Sequence, residues 1–322
     1  MARRKKGSPV HGWLILDKPL EMTSTTAVAV VKRLFDAQKA GHAGTLDPLA
    51  TGILPIALGE ATKTVSFAVD GEKAYRFTVR WGAETTTDDT EGSVTNRSEM
   101  RPSRAEIEAL LPRFTGEIMQ VPPQFSAIKI DGNRAYDLAR DGEQVALEPR
   151  PVFIDRLEAV AHPDHETTVF EAECGKGTYV RALARDMGRE LGCFGHVIAL
   201  RRTRVGPFTE DDAVTLGEIE AERDALAAAD GEHSPVMAGT QPRGPASLLL
   251  PVEAALSDIA EIPVSSSDAA TLARGQAILI RGRDAPVLTG SAYAIHKGRI
   301  VAIGELTKGT LQPTRVFNLG AR

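Results

Sequence analysis

Gly41-His42-Ala43-Gly44-Thr45-Leu46-Asp47-Pro48-Leu49-Ala50-Thr51-Gly52-Ile53-Leu54-Pro55-Ile56-Ala57-Leu58-Gly59-Glu60-Ala61-Thr62-Lys63 mixes glycine and proline with apolar residues too closely for one regular element. Asp47 precedes Pro48 and lies between Gly44 and Gly52, so the stretch reads as a tight loop that holds one carboxylate in a fixed pose. Leu46, Leu49, Ile53 and Leu54 surround it with apolar side chains. A carboxylate in such surroundings needs a cationic partner, or its pKa rises. On this evidence Asp47 either caps a turn or carries chemistry. The apolar run from Leu54 to Leu58 reads as a strand and Glu60 to Val69 as a helix.

Outward from the loop, Gly12 to Leu16 reads as a buried strand ended by Asp17-Lys18-Pro19. Thr23 to Phe35 reads as a helix, with Thr23 or Ser24 as its cap and Val28, Val31 and Leu34 at helical spacing. Tyr75 to Trp81 alternates as a half-buried strand does, and Thr85 to Gly92 is a polar turn holding Asp88 and Asp89. Ser103 and Glu106 form a capping box for a helix to Leu111. Gln124 to Ile130, Asp131-Gly132 and Tyr136 to Arg140 read as strand, turn and helix. Strands are predicted at 152–161 and 168–174, and a helix from Tyr179 to Leu191 closed by Gly192. Residues 223–247 lose apolar periodicity and read as a linker-like insertion. Beyond Leu250, short strands at 278–280, 292–295 and 300–303 follow glycine-bearing turns, the pattern of a small β domain.

Of the 322 residues, 42% are hydrophobic and 25% charged, which suits a soluble folded chain of one large and one small domain. No apolar run reaches the length of a membrane span. The basic start, residues 1–10, lacks an apolar stretch behind it and reads as a solvated tail. Cys174 and Cys193 cannot build a disulfide framework or a four-thiolate zinc site, and they suit a reducing, cytoplasmic setting. The net charge of −5 weighs mildly against a nucleic-acid partner. The acid is concentrated between Asp211 and Glu232, however, while Arg181, Arg185 and Arg189, and Arg201, Arg202 and Arg204, form basic groups that offer a positive face. Phosphate-loop, dinucleotide and nucleophile-elbow motifs are absent. His162-Pro163-Asp164-His165-Glu166 reads as a surface turn rather than a metal site.

The 41–63 stretch resembles the catalytic-loop motif of the TruB family of bacterial tRNA pseudouridine synthases, Gly-His-x-Gly-x-Leu-Asp-Pro-x-Ala-x-Gly-x-Leu, at every fixed position. Further likenesses run along the chain from about 12 to 208. They lie at Leu16 to Pro19, Lys73 to Phe77, Asp88 to Gly92, Pro122 to Arg140, Gly175 to Arg181 and Gly195 to Arg204. A weaker likeness at Arg274 to Ile278 and Val301 to Leu306 resembles the family's small PUA-like RNA-binding domain.

The resemblance implies an α+β fold: a catalytic domain over 11–256 around a mixed, largely antiparallel sheet, with an RNA-gripping thumb at about 124–152 and a PUA-like domain over 257–322. It implies isomerisation of uridine-55 in the tRNA T-loop, by a chain acting as a monomer without metal, cofactor or obligatory protein partner. Asp47 would be the catalytic carboxylate, Arg181 its counter-charge, and Tyr75 the ring on which the flipped uracil stacks. His42 would enter the RNA loop and fill the gap. Leu200 would wall the pocket. Tyr179, beside Arg181, is grouped with the substrate-facing residues, with core packing as its other reading. Lys18 would contact RNA phosphate or brace the loop. On charge grounds Lys129, Arg140, Arg201, Arg202 and Arg204 are phosphate contacts. Three competing readings remain: a synthase for another RNA, a tRNA-folding protein without catalysis, and a hydrolase using Asp47 with Glu60.

Overall fold

The computed structural model describes residues 7–126, 129–130, 133–134, 147–231, 244–280 and 289–320, with the backbone alone at 129–130, 133–134 and 229–231. In chain order the strands of the large domain are β1 (Gly12–Lys18), β2 (Ala40–His42), β3 (Ala50–Leu58), β4 (Lys73–Trp81), β5 (Ala83–Thr85), β6 (Val94–Arg97) and β7 (Gly116–Gln120). There follow β8 (Lys129–Ile130), β9 (Asn133–Arg134), β10 (Arg150–Ala161), β11 (Thr167–Cys174), β12 (Gly195–Val205), β13 (Phe208–Thr209) and β14 (Ala213–Val214).

Among the described residues ten of these strands make one sheet, in the order β14-β1-β3-β12-β4-β11-β10-β7, with β2 on β3 and β13 on β12. Only β1–β14 and β12–β3 run parallel, so the sheet is mixed and mainly antiparallel, as expected. Alternation along each strand feeds two cores. Leu14, Leu16, Leu54, Ile56 and Leu58 face the Ser24–Leu34 and Val180–Glu190 helices. Trp13, Ile15, Ile53 and Ala57 face the opposite side.

That second side is covered in part by the C-terminal β domain. Its strands β15 (Ala260–Pro263), β16 (Ile278–Leu279), β17 (Gly290–His296), β18 (Arg299–Thr307) and β19 (Thr310–Val316) pair in the order β15-β17-β18-β19-β16. Tyr293, Ile300, Ile303 and Phe317 join the same core as Trp13 and Ile53, so the two domains share one apolar interior. Polar bonds seal the seam. Lys63 Nζ donates to Val316 O at 2.7 Å and lies 5.5 Å above the Phe317 ring, while Glu60 accepts from Asn318 N at 2.7 Å.

Three expectations change. Glu60 to Val69 is not one helix but a 3-10 turn, Gly59–Lys63, and a short helix, Val65–Asp70. Thr64 breaks it by turning its hydroxyl back to Ala61 O and accepting from Trp13 Nε1. The first part of the 223–247 stretch is helical, within Leu216–Gly231. Alanine propensity and reciprocal bonds between Thr215 and Glu218 suffice there without an apolar stripe. Of the strand predicted from Gln124 to Ile130, residues 124–126 are not strand and Lys129–Ile130 pairs with Asn133–Arg134; residues 127–128 and Tyr136 to Arg140 lie outside the described residues. No helix among the described residues is long and apolar enough to cross a membrane.

A shared core predicts joint unfolding. Phe317→Ala should cost about 3 kcal/mol, as truncating a buried phenylalanine does. Calorimetry should show one transition at a lower Tm. Two separate transitions in the unmodified chain would contradict the shared interior.

Candidate active site

Asp47 sits in the loop between β2 and β3, half-buried at the edge of the first core. The loop is bonded on both sides of the carboxylate. Ser24, on the first turn of its helix and buried, donates to Leu46 O at 2.9 Å and accepts from Leu46 N at 2.8 Å. Glu21 N donates to Pro48 O, Ala50 N to Asp47 O, and Ala43 N to Pro55 O. Few rotations remain to the peptide that carries Asp47.

The carboxylate finds its counter-charge in Arg181, whose Nε lies 2.9 Å from Asp47 Oδ2. The other guanidinium nitrogens are also committed: Nη1 donates to Thr87 O at 2.8 Å, and Nη2 to Phe125 O at 2.9 Å. Nη1 also lies 3.4 Å from Asp89 Oδ2. Arg181 opens the Val180–Glu190 helix, and Gln120 pins that junction by accepting from Tyr179 N and donating to Tyr179 O. Down the same helix face, at helical i,i+4 spacing, Arg185 pairs with Asp88 at 3.0 Å and Arg189 with Glu84 at 2.7 Å. The 84–89 segment is thereby clamped along the helix, and Asp89 is presented to Arg181.

Strand register assembles the rest. Leu200 of β12 lies opposite Ala50 and Phe77, and Arg202 opposite Gly52 and Tyr75. Leu200 is buried with Leu46 and Leu49 as an apolar wall beside the loop. Burial raises the pKa of the Tyr75 hydroxyl against the opposing effect of Arg202, so the phenol keeps its proton at neutral pH. Tyr179 lies close enough to Arg181 and Asp47 to feel both charges, and burial raises its hydroxyl as well. His42 ends β2, half-buried, just ahead of the loop.

Several basic residues do not do what their charge suggested. Lys18 is fully buried; its ammonium donates to Pro19 O at 2.9 Å, Met22 O at 2.7 Å and Pro48 O at 3.4 Å. Burial lowers it to about 8 against the attraction of Asp47. It braces the loop and offers nothing to a phosphate. Arg202 is buried too and bonds main-chain carbonyls, so its phosphate role falls with it. Arg201 forks onto Asp17 at 3.0 Å and meets Glu210; Arg204 pairs with Glu173 and Glu72. Neither group of arginines forms a bare positive face, because each was read without the acids that folding brings to it. The Lys129 side chain and Arg140 lie outside the described residues. Glu60, the acid the hydrolase reading needed, is spent on Lys63 and Asn318 at the domain seam.

Sequence reasoning missed Ser24, Gln120 and the pairing of Arg185 and Arg189. The i,i+4 arginines opposite a segment with acids at 84, 88 and 89 were the available signal for the last two. Ser24 was read only as an alternative helix cap, a place Thr23 takes, and nothing local marked its bonds to Leu46.

Two family models match consecutive stretches: "TruB family pseudouridylate synthase (N terminal domain)" over residues 32–180 and "tRNA pseudouridylate synthase B C-terminal domain" over 181–257. The class is therefore that of the pseudouridylate synthases. The protein named tRNA pseudouridine synthase B of Bradyrhizobium diazoefficiens is 60% identical over 98% of this chain and 88% of its own length. Its namesake from Brucella anthropi is 55% identical over 99% of this chain and 100% of its own length. The chain belongs to the TruB family. A chain in the crystal structure of a Cbf5-Nop10-Gar1 complex shares the fold, with a TM-score of 0.72 at 24% identity over 99% of this chain and 90% of that one.

Burial moves the Asp88 carboxyl from 3.8 up to about 6, opposed by Arg185 and then Arg181. Between those values the folded chain holds more proton at Asp88 than the unfolded chain does, so stability falls as pH rises. The contribution is fully present below about pH 4 and lost as pH climbs through about 6. Asp88→Asn should remove this slope. Urea midpoints of wild type relative to the variant should decline from pH 4 to 6 and then level; a flat difference would refute the shifted carboxyl.

Proposed function

We infer that the chain converts uridine-55 in the T-loop of tRNA to pseudouridine, with Asp47 as the catalytic carboxylate. The observation that carries this reading is the loop-borne Asp47 held 2.9 Å from Arg181, with Tyr75 and Leu200 brought beside the same loop by strand register. The near full-length likeness to proteins named tRNA pseudouridine synthase B supplies the substrate.

The reaction breaks the bond from ribose C1′ to uracil N1, turns the base, and joins C1′ to C5. The C5 proton leaves and N1 gains one, so no atom is gained or lost overall. Asp47, ion-paired with Arg181 at 2.9 Å, serves as nucleophile or base. Tyr75 offers a ring face for the flipped base and a hydroxyl that retains its proton. Unstacking the target base costs on the order of a few kcal/mol, and His42, at the mouth of the loop, fills the gap left in the RNA. Tyr179 borders the pocket from the Arg181 side.

On the same reading the chain acts as a monomer, on tRNA in the cytoplasm. The C-terminal β domain extends the RNA contact: Lys297 and Lys308 stand exposed at the tips of its β17–β18 and β18–β19 turns.

Tritium release from a T-loop stem-loop labelled at uridine C5 tests this reading. Wild type should release tritium without added metal or cofactor. Asp47→Asn should release none while binding the RNA nearly as well. A folded wild-type protein that binds the RNA and releases nothing would leave a binding role or another RNA substrate.

A further inference from the structure

We propose that Arg202 is a positioning residue for the isomerisation, a buried cation that ties the loop carrying Asp47 to the strand carrying Tyr75. The proposal rests on the reading of Asp47 and Tyr75 as the reacting pair and extends it to a residue behind them.

Arg202 is 2% exposed and lies on β12 between β3 and β4, where its cross-strand partners are Gly52 and Tyr75. Its Nε donates to Ile53 O at 2.8 Å, Nη2 to Gly44 O at 3.1 Å, and Nη1 to Thr45 O at 3.4 Å. One planar group thus ties the loop just before Asp47 to β3 beyond it. Glycine is required where the loop meets Arg202. At Gly52, with φ +92°, a Cβ would stand 2.3 Å from Arg202 O; at Gly44, with φ +94°, it would stand 3.4 Å from Nη1. Gly52 thus lets β3 approach the main chain of Arg202 closely, and Gly44 takes the left-handed backbone that turns its carbonyl to the guanidinium.

The charge itself needs a reason. Arg181, Arg185, Arg189, Arg201 and Arg204 all pair with carboxylates, but among the described residues none pairs directly with Arg202. Burying an uncompensated guanidinium costs several kcal/mol, and a well-packed apolar side chain would brace β12 without that penalty. The groups that feel the Arg202 charge are the Tyr75 hydroxyl and Asp47, which attract it, and the ammonium groups of Lys18 and Lys73, which do not. The guanidinium hydrogen-bonds the Tyr75 phenol oxygen and stands near Asp47, so the strand that carries the ring and the loop that carries the carboxylate meet at one group.

The test uses full-length Arg202→Met and Arg202→Lys, each alone and combined with Tyr75→Phe. Measured are kcat and KM for tritium release from the T-loop stem-loop, RNA affinity, and Tm. In the wild-type background Arg202→Met should lower kcat by about 100-fold, the loss expected when reacting groups are misplaced, with RNA affinity unchanged. Arg202→Lys keeps the charge without the fork and should fall between. In the Tyr75→Phe background the Arg202 effect should shrink, because part of what it positions is gone. If Arg202→Met does not fold, the Arg202→Lys cycle with Tyr75→Phe decides alone. Unchanged kcat in the folded variants, or effects that simply multiply with Tyr75→Phe, would overturn the proposal and leave the functional reading intact. Absence of release by wild type would overturn the functional reading and this role with it.

Discussion

The pairing of Asp47 with Arg181 is the constraint around which the catalytic face is arranged. A carboxylate half-sunk among leucines is paired with a cation that is itself buried. Arg181 in turn needs partners for its remaining nitrogens. It takes them from Thr87, Asp89 and Phe125, which belong to segments far from it in sequence. Those segments must then be held. Arg185 and Arg189 hold the acidic turn along the helix, and Gln120 fixes the residue where the helix begins. One ion pair at the surface of the pocket thus propagates inward as a chain of bonded partners, each satisfying the burial cost of the one before.

The sheet supplies the other half of the arrangement. Parallel pairing of β12 with β3 and antiparallel pairing with β4 bring Leu200, Arg202 and Tyr75 beside the Asp47 loop. A slip of one residue would turn them to the other face. The opposite face gains its cover from the C-terminal β domain, whose Phe317 and Tyr293 complete the interior begun by Trp13 and Ile53. That domain is therefore packed into the fold, and its strands are held in a defined relation to the Asp47 loop.

Much of this was legible in the linear chain. The strand pattern at Tyr75 to Trp81, the capping box at Ser103 and Glu106, and the helix after Tyr179 all depend on local spacing, and all are present. Glu60 to Val69 and residues 223–231 were misread because a hydroxyl bond from Thr64 and the helix propensity of alanine outweighed the apolar pattern used to read them. The basic clusters misled for another reason. Charge counted along a chain carries no information about which acids fold against it, and Arg201 and Arg204 meet theirs across strands and turns.

By itself the sequence singled out Asp47 as the candidate carboxylate and determined the stiffness of its loop, because glycine, proline and the adjoining leucines act within a few bonds of it. It also carried the family motif, and with it the expectation of Arg181 and Tyr75 as partners. Only the tertiary structure decided that Lys18 and Arg202 brace the loop instead of facing phosphate, and that Ser24 closes the peptide before Asp47. Those roles depend on burial and on hydrogen bonds between distant segments, and both come into being only when the strands take their register.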